Sequence, residues 1–238
     1  PIPWTDAAEI ALSPFGVAMD APGYVCEPEL SAIDKKVKPN RGIGFLTGND
    51  GLIVCCSSAG CYVGAKLGSS DSRIASSKLF NNRDACLWVA RDAGNCRSFG
   101  NHFYGSRIAI YNEGGDGYQS TSDRAEDSFI GALCDARSKF IGTKFQQNLV
   151  RDVVLRGGGC ELIDCEVLVQ RETKEHNQFV VDGLPAFYGK AGIEIVGGGA
   201  RVRGLQMVLT DWIHHANTAS DKAAKGIIVS ADDCKISG

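Results

Sequence analysis

The sequence predicts an all-β fold in which short strands wind into stacked coils: a parallel β-helix with three strands per coil, behind a short proline-rich segment. Two observations favour it: alternating apolar segments recur in register, and a glycine cluster recurs at the same place within them. The stretches between the repeats lack the helical periodicity of amphipathic helices, which argues against a parallel α/β domain. A β-sandwich would not require an in-register repeat.

Residues 1–45 differ in composition from the rest of the chain, because six of the seven prolines lie at or before Pro39. Proline cannot donate to the hydrogen-bond ladder of a central strand. We therefore interpret residues 1–45 as an adaptor or capping segment and residues 46–238 as the β-helix. The pattern stops in mid-repeat at Gly238, so we expect the β-helix to be truncated there.

The repeat is clearest between residues 151–169 and 191–209, which align without a gap when Val153 is set against Ile193. Residues 225–238 repeat the pattern again, with Ile227 aligned to Ile193, and weaker copies lie upstream. The shortest clean step between copies leads from Ser138 to Cys160. That step matches one turn of a parallel β-helix, which takes roughly 22 residues and stacks on its neighbour about 4.8 Å away.

The glycines at 197–199 are predicted to form a corner of the coil. A dinucleotide-binding loop needs a further glycine at the sixth position and then a helix, whereas here Val202 takes that position and a second alternating segment follows. Glycine suits a corner because it adopts positive φ without steric cost. The same three glycines at 157–159 support this interpretation.

The ten cysteines include no C-x-x-C pair, so a zinc ribbon has little support. Cys160 and Cys234 occupy the repeat position of Ala200, and Cys61 and Cys96 are predicted to do so too. A small apolar side chain suits a stacked interior position, so we expect buried thiols. Disulfides between adjoining coils are the alternative, because the coil spacing lies within the range of a bridge.

Charge is nearly balanced, with 25 basic and 28 acidic residues, so no nucleic-acid partner is expected. No apolar run approaches the roughly 20 residues that a membrane-spanning helix needs. We expect no cofactor. We also expect no metal site, since the adjacent His214 and His215 would point to opposite faces of a strand.

Three segments are predicted to leave the coil at one corner and form a single surface: residues 111–127, 171–190 and 210–224. Their aromatic rings suit sugar faces and their polar groups suit sugar hydroxyls. The candidate carbohydrate-binding residues are Tyr118, Asp182, Tyr188, Trp212 and His214.

Hydrolysis of a glycosidic bond needs two carboxyl groups about 5 to 9.5 Å apart. Glu113 and Asp116 in NEGGDG are the catalytic candidates, and Asp123, Glu126 and Asp127 form a second acidic group. A lyase would need a base beside a cation. Lys174 with His176, or His214 with His215, are the candidates for that chemistry.

The coil pattern of GIEIVGGGARVRG, the stacked small residues and the predicted loop surface resemble right-handed parallel β-helix proteins of the pectin-lyase-like class. They resemble most the shafts of bacteriophage tailspikes and related virion fibres. The resemblance covers residues 46–238 and includes no catalytic motif. It implies a homotrimer that attaches to other virion proteins through its N-terminal segment and binds or cleaves bacterial surface polysaccharide.

The predicted function is therefore a structural virion appendage, such as a tail, neck or collar spike, whose loops contact host surface polysaccharide. The alternative is a polysaccharide depolymerase, a hydrolase or lyase, on a virion or secreted. A self-standing adhesin is a third hypothesis.

Overall fold

The computed structural model describes residues 42–148, 150–170, 191–210 and 225–238. These residues form β-strands joined by short turns, and none of them lies in a helix. This part of the chain accordingly holds no helix that is long and apolar enough to cross a membrane. The first strand begins at Ile43, within the segment 1–45 that the composition sets apart.

The strands are numbered in chain order. They are β1 Ile43–Thr47, β2 Leu52–Val54, β3 Ser57–Ala59, β4 Val63–Leu67, β5 Arg73–Ala75, β6 Lys78–Phe80, β7 Ala85–Val89, β8 Arg97–Phe99, β9 His102–Tyr104, β10 Ile108–Asn112, β11 Tyr118–Thr121, β12 Arg124–Glu126, β13 Ile130–Cys134, β14 Ser138–Ile141, β15 Lys144–Gln146, β16 Arg151–Leu155, β17 Glu161–Ile163, β18 Glu166–Gln170, β19 Ala191–Ile195, β20 Arg201–Arg203, β21 Gln206–Thr210, β22 Lys225–Val229 and β23 Lys235–Ser237.

Every third strand joins the same sheet, so the chain visits three parallel sheets in turn and then begins the next coil. Sheet 1 has eight strands in the order β1-β4-β7-β10-β13-β16-β19-β22. Sheet 2 has eight in the order β2-β5-β8-β11-β14-β17-β20-β23. Sheet 3 has seven, from β3 to β21 through β6, β9, β12, β15 and β18. The predicted all-β parallel fold with three strands per coil is confirmed.

The register of the strands reproduces the sequence repeat. Val153 pairs with Ile193, and Ile193 pairs with Ile227, which are the two alignments found in the sequence. Phe140 pairs with Leu162, the same step as that from Ser138 to Cys160. Apolar residues at most of these positions point inward and are buried, so each coil contributes one layer to a continuous core.

The corner interpretation of the glycines is also confirmed. Gly159, Gly199 and Asp233 occupy equivalent positions before sheet 2, with φ of 68°, 72° and 57°. The backbone N–H of Gly159 donates to the carbonyl of Gly198 on the next coil, and that of Gly199 donates to Asp232. These amides are used for stacking between coils and do not converge on an anion. Each position needs the left-handed region, which glycine and aspartate tolerate.

Two of the three predicted segments connect the same pair of sheets. Residues 171–190 connect β18 to β19 and residues 211–224 connect β21 to β22, so both run from sheet 3 to sheet 1; the segments themselves lie outside the described residues. The prediction that residues 111–127 form a third loop there is wrong. That segment is an ordinary part of a coil, containing β11 and β12 after a short turn from sheet 1 to sheet 2.

The cysteines follow the prediction of interior thiols in most respects. Cys86, Cys96, Cys134, Cys160 and Cys165 are buried, and all nine cysteines of the described residues are free thiols; Cys26 lies outside them. Burial raises the pKa of the Cys160 thiol to about 11, which makes it a poor nucleophile at neutral pH. The prediction that Cys61 occupies the same repeat position as Cys160 is wrong. Cys61 lies just before the sheet 1 strand β4, whereas Cys160 lies just before the sheet 2 strand β17.

The interior also holds a polar cluster around Asp123, which is 1% exposed. The backbone and side-chain amides of Asn101 both donate to Oδ1 of Asp123 at 2.8 Å, and the Ser120 hydroxyl donates to Oδ2 at 2.7 Å. Burial raises the pKa of Asp123, and these hydrogen bonds offset part of the increase. Asp123 is therefore a hydrogen-bonded residue of the interior and is not available to a ligand.

Candidate functional site

The chemistry-bearing residues gather where strands of sheet 1 end and the chain turns toward sheet 2. Glu113 directly follows β10, and Asp135 directly follows β13, the next strand of the same sheet. The backbone N–H of Glu113 donates to Val89, and that of Asp135 donates to Asn112, so the two carboxylates occupy equivalent positions on consecutive coils. Their backbones are therefore separated by about the 4.8 Å spacing of neighbouring strands.

Glu113 lies against an indole. The Trp88 Nε1–H donates to Oε2 of Glu113 at 3.1 Å, and the guanidinium of Arg91 lies 3.6 Å from Oε1. The Glu113 side chain is 12% exposed, whereas Arg91 is mostly exposed. Trp88 is covered in turn by Lys66, whose Nζ lies 3.8 Å from the ring centroid. Glu113 is thus held by a fixed neutral donor, with a cation at longer range.

Asp135 has a different environment. Nε of Arg156 donates to Oδ1 at 2.6 Å, and the Tyr111 hydroxyl donates to Oδ2 at 3.2 Å. The Asp135 side chain is 25% exposed. The two carboxylates of the pair therefore differ in their hydrogen-bond partners, with a close guanidinium at Asp135 and an indole at Glu113.

Tyr111 lies between these two environments. Burial raises its pKa well above the ordinary tyrosine value, and the negative charges of Asp135 and Glu113 raise it further. The hydroxyl consequently stays protonated at neutral pH and can act as a hydrogen-bond donor. Its ring packs against the apolar outer surface of sheet 1, where its strand neighbours are Trp88 on one side and Leu133 on the other.

Glu113 and Asp116, the predicted catalytic pair, bind different partners in the structure and form no shared hydrogen-bond network among the described residues. Asp116 lies in the same turn, but its side chain is 74% exposed and its Oδ1 pairs with Nε of Arg137 at 3.1 Å. Glu113 pairs instead with Trp88 and Arg91. The carboxylate equivalent to Glu113 is Asp135, one coil further along, and the sequence reasoning missed it. The repeat would have found it, because the step from Ser138 to Cys160 also leads from Glu113 to Asp135.

Tyr118 does not lie on the predicted sugar-binding surface. It begins β11 with its side chain facing the interior, where it is fully buried and its hydroxyl is 2.6 Å from the Ser98 Oγ. Its ring packs edge-on against Phe140 at 6.1 Å. Because no face of the ring is accessible, we leave Tyr118 out of the carbohydrate-binding set. The other four candidates, Asp182, Tyr188, Trp212 and His214, lie outside the described residues, as do Lys174, His176 and His215.

A second polar cluster lies on the outer surface of sheet 3. Glu126 accepts hydrogen bonds from His102, from Arg124 at 2.5 Å and from Gln146 at 2.7 Å. Burial acts to raise the pKa of Glu126, but the hydrogen bond and charge of His102 and the charge of Arg124 outweigh it, so the pKa is lowered. The carboxylate is already saturated with donors within the protein, which makes it a weaker candidate for catalysis than the Glu113–Asp135 pair.

Metal chemistry gains no support from the described part of the chain, which contains no group of three or more His, Cys, Asp or Glu side chains arranged to hold an ion. No protein-family model and no curated protein matches the sequence. Solved structures do match it.

Crystal structures of DFA-IIIase from Arthrobacter chlorophenolicus A6 are similar to this chain in fold. The enzyme without a named ligand aligns with a TM-score of 0.66 and 12% identity over 82% of this chain and 53% of that one. The C387A mutant in complex with DFA-III gives a TM-score of 0.64 and 12% identity, over 82% and 52%. The complex with GF2 gives 0.64 and 13%, over 82% and 51%.

What the two proteins share is the β-helix. This chain spans about half the length of DFA-IIIase. At 12% identity the likeness concerns the fold alone, and no residue of the Glu113–Asp135 pair is carried over from it. The likeness therefore supports the parallel three-sheet coil and nothing finer.

Proposed function

We propose that this chain is a carbohydrate-active enzyme. Glu113 and Asp135 are the two carboxyl groups that cleave a glycosidic bond of the bound substrate. The observation that carries the proposal is the placement of two partly buried carboxylates at equivalent positions of neighbouring coils, each with its own hydrogen-bond partners. Glycosidases use a pair of carboxyl groups about 5 to 9.5 Å apart, and two backbones one strand spacing apart, about 4.8 Å, can supply such a pair.

The environments of the two groups favour different roles. Asp135 forms a close ion pair with Arg156, which suits the carboxylate that acts as an anion, the nucleophile or base. Glu113 accepts a hydrogen bond from the Trp88 indole and has a cation only at longer range, so we assign it the other role of the pair, the acid that donates a proton to the leaving oxygen. The protonated Tyr111 hydroxyl can hydrogen-bond to the sugar or help to orient Asp135.

The fold comparison supports the same class of function. DFA-IIIase is a carbohydrate-active enzyme with a β-helix fold, which favours the polysaccharide-enzyme alternative over the virion appendage. Its complexes with DFA-III and GF2 make these two compounds natural members of a substrate panel.

The test is to incubate the purified chain with fructans, DFA-III, GF2 and bacterial capsular and O-antigen polysaccharides, and to measure new reducing ends and released saccharides. On a substrate that is cleaved, Glu113→Gln and Asp135→Asn should each lower kcat by about 100-fold or more. Asp116→Asn is the matched control, because it removes one exposed carboxylate from the same turn. Loss of activity in Asp116→Asn, with Asp135→Asn unaffected, would favour the sequence-based pair and refute this site.

The virion functions predicted from the sequence are a second proposal. They rest on the resemblance to tailspike shafts and on the proline-rich residues 1–45. In that proposal the chain is a homotrimer that attaches to other virion proteins and binds host polysaccharide without cleaving it. Its location is then the virion, with secretion as the alternative. Saccharide binding without product formation, together with a trimer mass in light scattering, would favour this proposal over the enzyme.

A further inference from the structure

The outer surface of sheet 2 carries two arginines side by side. Arg73 on β5 and Arg97 on β8 are direct partners in the strand register, so their backbones lie about 4.8 Å apart. Both are exposed, and within the described residues neither forms an ion pair with a carboxylate. Like charges directly opposite each other on a sheet are destabilising. The fold itself gains nothing from this arrangement.

An apolar row runs beside the arginines. Residues two positions apart on a strand point to the same face, so Phe99 faces outward next to Arg97, and Val54 faces outward two coils before Phe99. Phe99 is 56% exposed and Val54 is 44% exposed. A large exposed aromatic ring next to an uncompensated guanidinium is characteristic of a binding surface. We name Arg73, Arg97, Phe99 and Val54 the arginine patch.

The polar row continues from the arginine patch along the sheet. Gln119 and Lys139 follow Arg97 in the same register, and they line a shallow depression with Arg137 and Glu161. From Arg73 to Lys139 the row spans three coil steps, or about 14 Å. Lys139 has a carboxylate neighbour, Glu161, at 3.6 Å, so the uncompensated positive charge is concentrated at Arg73 and Arg97.

From this arrangement we infer that the arginine patch binds a polysaccharide bearing carboxylate or sulfate groups, at a site separate from the Glu113–Asp135 pair. Guanidinium forks hold carboxylate and sulfate oxygens through paired hydrogen bonds. The Phe99 ring offers a flat apolar surface to a sugar, as aromatic side chains do at binding sites. The row follows the coil axis and therefore suits an extended chain. The inference does not depend on cleavage, since it concerns binding on another sheet.

The experiment is affinity electrophoresis of the full 238-residue chain through gels that contain polygalacturonate, dextran sulfate or neutral dextran. Wild-type protein should be retarded by the anionic polymers and not by neutral dextran, and the two anionic gels distinguish carboxylate from sulfate as the preferred group. The Arg73→Gln/Arg97→Gln double variant should bind about tenfold more weakly, as expected for two exposed charge contacts. Phe99→Ala should weaken binding about fivefold through the lost ring contact.

Arg201→Gln/Arg203→Gln is the matched control, because these are two exposed arginines of the same sheet, four coils beyond Arg97, and their replacement changes the net charge by the same amount. It should retain wild-type binding. Circular dichroism confirms that each variant is folded. The inference is overturned if wild-type protein is not retarded, if the Arg73/Arg97 variant binds as wild type does, or if neutral dextran retards the protein equally. Tighter binding of a single-stranded DNA oligonucleotide than of either glycan would also overturn it.

Discussion

The alternation of sheet 2 makes a strong prediction about two phenylalanines. Phe140 faces the interior, fully buried, with its ring centroid 6.1 Å from Tyr118 and 5.3 Å from Phe145. Phe99 faces outward and is exposed. Replacing a buried phenylalanine with alanine costs about 3 to 5 kcal/mol through lost burial and the cavity that remains. Two edge-on ring contacts place Phe140→Ala in the upper half of that range, at about 4 kcal/mol.

Phe99→Ala removes the same atoms from the opposite face, and we expect a change in the free energy of unfolding within about 0.5 kcal/mol. Equilibrium urea unfolding, followed by far-ultraviolet circular dichroism, measures both variants against wild type at one pH and temperature. The difference between the two variants is the informative quantity, because it cancels the shared loss of a phenyl ring from the unfolded chain. If Phe99→Ala destabilises the protein as much as Phe140→Ala, the inward and outward assignment of sheet 2 is wrong.

Two further predictions concern the corners and the polar interior. Gly199→Ala should cost about 1 to 2 kcal/mol, because φ of 72° lies in the left-handed region. Gly198→Ala is its control: a Cβ there would meet Asp232 O at 3.4 Å, an ordinary contact, so urea unfolding should show a smaller change. At Asp123 burial raises the folded-state pKa, so the folded protein binds more protons than the unfolded chain between the two pKa values. Its contribution to stability is therefore greatest below the unfolded pKa and is lost as pH rises through the folded pKa. Asp123→Asn should remove this part of the decline in thermal stability measured from pH 4 to 7, while the part due to Asp84, whose pKa burial raises to about 6, remains. A decline equal to that of wild type would contradict the assignment.

Much of the fold could be predicted from the sequence, because its signals are local and repeat. The sequence alignment that sets Val153 against Ile193 is also their strand register. In a stack of similar coils the alignment of the repeats and the strand register must agree, because each residue pairs with the equivalent residue one coil away. Gly199 was predictable as a corner for a similar reason: the backbone conformation that it permits is needed once at that place in each repeat.

The candidate site was predictable only in part. Glu113 was among the predicted residues, but its predicted partner was the carboxylate nearest in sequence, Asp116. In a coil the nearest neighbour of a residue is one full turn away, and that neighbour is Asp135. Tyr118 was also placed wrongly from the sequence. An aromatic residue after NEGGDG resembles part of a loop, but Tyr118 is the first residue of strand β11. Its first position in β11 turns the ring inward.

The sequence by itself determined the all-β class, the coil of three short strands, its repeat length and its glycine corners, because periodicity and backbone preference are properties of the chain. Only the tertiary structure decided which side chains share a surface. Winding brings Glu113 beside Asp135, and Arg73 beside Arg97, each pair one coil apart. It also sends Phe140 and Phe99 to opposite faces of one sheet. Those placements depend on how each coil stacks on the next, and they decide which side chains can act together in binding or catalysis.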